Sequence, residues 1–496
     1  MTLQEKLRQL KRETAPHDRD RELERTLEYL RRLTAPPAPR KLPAQRAAKG
    51  IEEYVDGDVV ENAFGQFFRA RQSFPFGRPY GKLRLGDVAT ADLSSLNVFL
   101  AAEDTSHSPE GRRQKADDRS REGLGDERPA LQSSSQPQIQ NRKSNIPEIR
   151  SESKIQNQKS KIEPPLPEPS RLVFLDTETT GLAGGTGTCA FLIGIGAVEG
   201  VQFVVRQFFL RDYPEEKALL HALAEALEQY EGLVTFNGKT FDVPLLETRY
   251  ALARMKSPFE RLRHLDALHP ARRLWKLRLE RCKLTDLESA VLGIRREGDV
   301  PGSEIPGIYF DYLRTGDARG LQPVFYHNAL DILTLAALTV QLARALADAG
   351  TLDSPLDLFS LSRILGATGA GAQSVATCQQ ALATGLPTSV EGQALRHLAL
   401  LLKRQQRHEL AVEAWLELTR REAPLAIEAC EELAIYYEHR RRDCRTAREF
   451  TTAALERLRE QSSSPPDLSR FTHRLARLEK KLSRAGTRLP WASQGH

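Results

Sequence analysis

The stretch "VFLDTETTGL", residues 173–182, sets two carboxylates, Asp176 and Glu178, one residue apart at the end of an apolar run. Side chains alternate across a strand, so the two acids share a face and Thr177 takes the other. Carboxylates sharing a face repel unless a positive charge or water lies between them. A hard divalent cation meets that need, because it takes oxygen ligands and is neutralised by them; a solvated strand end meets it too. If a cation is held, further acids must stand at the ends of other elements. Two segments offer them. In "NGKTFD", Asn237 follows a short apolar strand and Asp242 opens the next helix; in "FYHNALDIL", His327 precedes Asp331 by four residues, on roughly one helix face.

These residues need a frame. "RLVFLD", "CAFLIGIGAV" and "VQFVVRQFFL" read as strands, the last two joined by a tight turn at Glu199-Gly200. "PEEKALLHALAEALEQY" reads as a helix with proline and acids in its first turn, followed by the strand "LVTF" and by helical stretches through "PVFYHNALDILTLAALTVQLARAL". Residues 171–350 are thus expected to form an α/β domain. Residues 1–50, with leucines at helical spacing, are expected to form a helical segment. Residues 51–100 form a small β-rich subdomain or an arm on the next domain, and the polar residues 101–170 a disordered linker. Residues 351–496 read as helices only. There "LRHLALLLKRQQRHELAVEAWLEL" and "CEELAIYYEHRRRDCRTAREFTTAAL" align at a shift of 35 residues, pairing Leu398-Ala399 with Leu433-Ala434 and Ala411 near Ala447. That period is close to the tetratricopeptide repeat, which implies a helical array with its own core; a plain bundle is the alternative.

Composition narrows the classes. With 496 residues and 40% hydrophobic content the chain can build real cores, and its net charge of +6, from 72 basic and 66 acidic residues, tilts weakly toward an anionic partner. Cys189, Cys282, Cys378, Cys430 and Cys444 are scattered and form no Cys-x-x-Cys pair, which argues against a disulfide framework and a structural zinc site. No signal peptide and no spanning segment are expected, so the protein is read as cytoplasmic, without a membrane partner.

Taken in order, "DTETTGLAGGTGTCAFLIGIG", "FNGKTFDVPLLETR", "LTDLESAVLGI", "IPGIYFDYL" and "HNALDILTL" resemble the DEDD superfamily of 3′-to-5′ exonucleases and, within it, the YprB-type branch of ribonuclease H-like proteins. The resemblance covers 171–346 strongly and 51–80 loosely. It implies a ribonuclease H-like mixed sheet with flanking helices. It also implies a two-metal site for hydrolysis of single-stranded DNA or RNA ends, using Mg²⁺ or Mn²⁺. Carried over by motif, Asp176 bridges both ions, Glu178 and Asp331 complete the first, and Asp242 holds the second. One departure concerns the water-orienting residue. Tyr326 lies five residues and His327 four before Asp331, each at the spacing the other has in the family. Imidazole has the better pKa for a base near neutrality, which favours His327.

"LAGGTGT" lacks the ending of a P-loop and reads as a rim loop. Arg272, Arg273 and Lys276, around Trp275, form either a patch for a nucleic-acid backbone with one aromatic platform or a solvated helix face; Asn237 is a further candidate contact. His264 and Asp266 read as core or capping residues. The rival to an exonuclease is a catalytically weak nucleic-acid-binding module whose helical repeats recruit a protein partner.

Overall fold

The structure, a computed structural model, describes residues 49–104, 165–181, 187–421, 424–460 and 465–486. The expected N-terminal helical segment, most of the linker and most of the rim loop lie outside these residues.

Nine strands are described: β1 (Gly57–Asn62), β2 (Gly65–Pro75), β3 (Pro79–Tyr80), β4 (Leu83–Arg84), β5 (Leu172–Thr179), β6 (Ala190–Glu199), β7 (Gln202–Phe209), β8 (Gly232–Thr235) and β9 (Arg263–Asp266). The helices are α1 (Gly86–Thr90), α2 (Asn97–Asp104), α3 (Glu216–Leu227), α4 (Asp242–Leu252), α5 (Leu268–Leu279), α6 (Leu284–Leu287), α7 (Ile305–Thr315) and α8 (Gln322–Ala347). The helical array follows: α9 (Pro355–Ala367), α10 (Gly371–Thr384), α11 (Thr388–Arg404), α12 (His408–Leu418), α13 (Leu425–His439), α14 (Cys444–Glu460) and α15 (Pro465–Gly486).

One mixed sheet runs β1-β2-β7-β6-β5-β8-β9. β5, β8 and β9 are mutually parallel, and the remaining neighbours are antiparallel. The N-terminal hairpin is therefore an arm on the sheet, with β2 pairing along β7 from Phe68↔Phe209 to Pro75↔Gln202. The tight turn after β6 is Gly200-Val201, one residue later than expected, because Glu199 still pairs with Gln202 and Gly200 takes the left-handed φ of 57° that the turn requires. β9 falls where the sequence suggested capping or core residues. Its four residues are too few to show a period of two.

Helix α8 crosses the sheet face. By length and composition the segment Ala318–Ala347 could span a bilayer, which the sequence reading had not allowed, but 78% of its most apolar window is buried in protein. Its hydropathy follows from its place between the sheet and the short elements Gly86–Thr90, Ser94–Leu96 and Glu288–Leu292, where a helix must be apolar nearly all round. The close approach has a local cause. A Cβ on Gly194 would stand 2.2 Å from Asn328 Oδ1, and one on Gly196 2.3 Å from Ile332 Cγ2, so β6 is bare where α8 crosses it.

The same apolar core continues from Phe174 and Leu265 through Leu335 and Leu342 of α8 to Leu358, Phe359 and Leu361 of α9 and onward to Leu433 of α13. Among the described residues, a core belonging to the array alone is found at its far end, where Cys430, Leu455, Leu458 and Phe471 cluster separately. α9 packs along α5, and Arg278 Nε meets the buried carboxylate of Asp357 at 2.8 Å. The 35-residue shift carries α11 onto α13 and α12 onto α14, and the paired residues Leu398, Ala399, Leu433, Ala434, Ala411 and Ala447 are all buried.

Candidate functional site

Asp176 and Glu178 end β5, Asp242 opens α4 after β8, and His327 and Asp331 face the strand ends from α8. The structure brings all five together. Burial raises the pKa of Asp176 well above the usual carboxylate range, and repulsion from Asp331, Glu178 and Asp242 adds to it. Glu178 is raised likewise by burial, then by Asp331, Asp242 and Asp299. Asp242 is pushed up to about 6 by burial even though Thr177 Oγ1 donates to its Oδ1 at 2.5 Å. Thr177, on the opposite face of the strand, thus fixes the acid that approaches from the flank.

Amides hold Asp176. Asn328 Nδ2 donates to Asp176 Oδ2 at 2.9 Å, and Gln207 Nε2 donates to Asn328 Oδ1 at 2.9 Å and to the Phe325 carbonyl at 2.7 Å. Both amides are fully buried. A buried amide must be satisfied, so this chain permits one orientation of Asn328 and hence of the carboxylate.

On the other side stands a set of residues that the sequence reading missed. Arg296 makes two bonds to Glu288, at 2.6 and 2.7 Å, one to Asp299 at 3.0 Å, and a short one to Asp331 Oδ1. Glu288, at the start of a π-helical turn, Glu288–Leu292, also accepts from Thr334, whose hydroxyl lies 2.7 Å from Tyr80 Oη. The β3–β4 turn reaches this point because Gly81, at φ 59°, carries no Cβ to strike the Leu292 carbonyl. His327 Nδ1 lies 2.8 and 2.9 Å from the two Asp299 oxygens, and its Nε2 3.4 Å from Asp331 Oδ2 and 3.9 Å from Glu178 Oε1. Tyr326 is 45% exposed, against 12% for the His327 side chain.

A signal for Glu288, Asn328 and Gln207 was present: a charged or amide residue inside an apolar segment must find a buried partner. Arg296 and Asp299, in "RREGDVPG", gave none, since charges beside glycine and proline read as a solvent turn.

The donor set fits a divalent cation. Ligand atoms of Glu178, His327 and Asp331 all lie within 4.8 Å of one another, and Asp176 and Asp242 add oxygens beside them. Glu288, Asp299 and Asp331 bond the Arg296 guanidinium, which also acts on Glu178, and Asp176 and Asp242 stand beside these acids, a surplus of negative charge that protonation or a metal must offset.

Other sequence candidates lie elsewhere. Asn237 sits in the turn after β8 at φ 69°, its amide N–H donating to Asp266, which also accepts from Lys239 and Leu268. Asp266 is thus a capping residue. His264 bonds Thr235 at 2.7 Å, and burial lowers its pKa to about 3. Arg272 and Lys276 are exposed in an open groove with Arg281 and Lys283, while Arg273 lies over the Phe99 ring. Trp275 is 1% exposed and belongs to the core, which removes the expected aromatic platform: its position on α5 faces the apolar cluster.

Residues 173–343 match the RNase H superfamily. The Bacillus subtilis (strain 168) protein YprB, itself uncharacterized, is 32% identical over 317 residues, covering 63% of this chain and 76% of YprB. The chain belongs to the YprB-type branch of the RNase H superfamily. The aligned length exceeds the superfamily domain, so the relationship takes in more of this chain than the RNase H-like domain. A family B DNA polymerase from the archaeon Pyrobaculum calidifontis aligns with 48% of this chain and 30% of its own at 13% identity, but with a TM-score of 0.28 it carries no argument. In this YprB-type protein the superfamily match begins at the strand of Asp176 and ends within α8, so it encloses all five converging residues.

Proposed function

We propose that the protein is a metal-dependent 3′-to-5′ exonuclease acting on single-stranded DNA or RNA ends. The observation that carries the reading is the convergence of Asp176, Glu178, Asp242 and Asp331 with His327 Nε2 directed at the same place. Asp176, Glu178, Asp242 and Asp331 are the groups to hold two divalent ions, Mg²⁺ or Mn²⁺. When bound, such ions supply Lewis-acid stabilisation of charge on the attacking and leaving oxygens. Thr177 and Asn328 keep two of the acids in fixed directions, which lowers the reorganisation needed as charge develops. His327 orients the attacking water and takes its proton at Nε2. Arg272, Arg273 and Lys276 offer backbone contacts to the strand, and the helical array, read as tetratricopeptide-like, offers a face to a protein partner in the cytoplasm.

The test is incubation of 5′-labelled DNA and RNA oligonucleotides with the full chain and each metal. A ladder shortening from the 3′ end, abolished by chelator, is expected; intact oligonucleotides under every condition would refute the activity. A second reading has one observation behind it: Arg296 already occupies one oxygen of Asp331. If that contact persists with metal present, the domain binds nucleic acid and cleaves it poorly, which metal-dependent retention of intact oligonucleotide would reveal.

A further inference from the structure

We propose that Asp299 is a positioning residue for His327: it accepts the ring's Nδ1–H and so leaves the Nε2 lone pair open to the attacking water on the side of the acids. The inference rests on the nuclease reading above and assigns a role to a residue outside the carboxylate set carried over from the superfamily. Both Asp299 oxygens lie within 2.9 Å of Nδ1, while Nε2 faces Asp331 and Glu178. Neutral imidazole has one donor and one acceptor nitrogen, and the carboxylates on both sides can only accept; Asp299 meets Nδ1 at 2.8 Å, a hydrogen-bond length, while Asp331 and Glu178 stand back from Nε2 at 3.4 and 3.9 Å, so the Nδ1–H tautomer is favoured.

Asp299 cannot swing away. Its Oδ1 also accepts from the Val300 amide at 2.9 Å, and Arg296 holds Oδ2 at 3.0 Å. A purely structural ion pair does not account for it, since Arg296 is already met by Glu288 and Asp331. Asp299 adds negative charge where charge is already in surplus, and its other partner is the imidazole. One loop therefore sets both the base, through Asp299, and the last acid, through Arg296.

The test combines a double-mutant cycle with a readout independent of cleavage. Asp299→Asn should lower kcat about 10- to 100-fold, while KM for a 5′-labelled oligonucleotide and the calorimetric Kd for Mn²⁺ stay within about threefold of the unmutated chain. In a His327→Ala background it should cost nothing further. Solid-state ¹⁵N spectra of the histidine-labelled full chain, with His327 assigned by its loss in His327→Ala, should show Nδ1–H in the unmutated protein and a shift toward Nε2–H in Asp299→Asn. Asp299→Ala repeats both measurements if the amide disturbs the loop. An equal loss of kcat in both backgrounds, or an Nε2–H ring in the unmutated protein, would overturn the proposal. A chain that cleaves nothing yet shows the tautomer shift would retain the positioning role and sink only the nuclease reading.

Discussion

Two clusters of charge in this molecule are near opposites. At the strand ends, six carboxylates gather about one guanidinium, Arg296, which pairs with three of them, Glu288, Asp299 and Asp331. In the helical array one buried carboxylate, Glu438, is met by Arg474 at 3.3 Å, Arg477 at 2.7 Å and Lys481 at 2.8 Å. Burial alone would raise Glu438, but Arg477 and Lys481 outweigh it and hold its pKa at about 2. Burial and repulsion together raise Asp176, Glu178 and Asp242. A carboxylate with a surplus of cations is complete and ties α13 to α15. Carboxylates in surplus are incomplete, and folding must carry their repulsion unless protonation or a cation offsets it.

The harshest way to separate the clusters is to cut the chain after Thr351, which deletes the Glu438 cluster and leaves the acids. Because α9 buries Leu358, Phe359, Leu361 and Ile364 in the shared core, the cut should cost more than 5 kcal/mol, at about 2 kcal/mol for each buried side chain. The truncated protein should then aggregate or lose cooperative melting. A soluble fragment with an unchanged melting temperature would show the site's frame to be independent of the array. Next in size, Asp331→Asn should lower cleavage by roughly a thousandfold or more, about 4 kcal/mol, while raising the melting temperature of the metal-free protein, because one repelling charge is gone. A drop in metal-free stability would mean that the Arg296 contact outweighs the repulsion.

The frame was largely legible in the sequence because strand and helix periods are local. β5 to β8, α3, α4 and α8 follow from apolar runs and turn residues, and the acids stood out by their place at element ends. What was hidden depends on distance. Asn328, an amide in an apolar helix, signals that a buried partner exists, but which partner stays hidden until α8 is laid against Gly194. Arg296 and Asp299 read as solvent charges until their loop is folded over the strand ends. Trp275 looked like a platform because its charged neighbours are visible in sequence and the face it turns to the core is not.

For the complete cluster, Glu438→Gln should destabilise the protein by about 2 kcal/mol, the usual scale for losing charged hydrogen bonds to a buried group, with cleavage unchanged. Its pH dependence has a definite sign. Since the folded pKa is depressed to about 2, its contribution is present above the ordinary value of 4.5 and is lost as pH falls from there toward 2. The incomplete cluster should behave in the reverse sense. Its folded pKa values are raised, so the metal-free protein is stabilised at low pH and loses that contribution as pH rises through the Asp242 value of about 6. Melting scans across pH 4–8, with and without Mn²⁺, should show stability falling in the metal-free samples and recovering with the ion. Equal slopes in both would argue that no cation enters among the acids. The smallest change expected is for Arg272→Ala with Lys276→Ala, a rise in KM of about two- to fivefold and a shallower salt dependence, from the loss of backbone contacts alone.

The hydrogen bond between Tyr80 and Thr334 joins residues 254 positions apart, and that between Asn328 and Asp176 joins residues 152 apart. Contacts of such span form late, because loop closure must precede any reward from them. On a ribosome the consequence is an order of events: Asp176 and Glu178 emerge early and β6 can pair with their strand, but Asn328, His327 and Asp331 join them only when α8 has been made. A chain released or stalled before that helix carries the first acids without their partners, so synthesis itself keeps the proposed activity off until this part of the protein is whole.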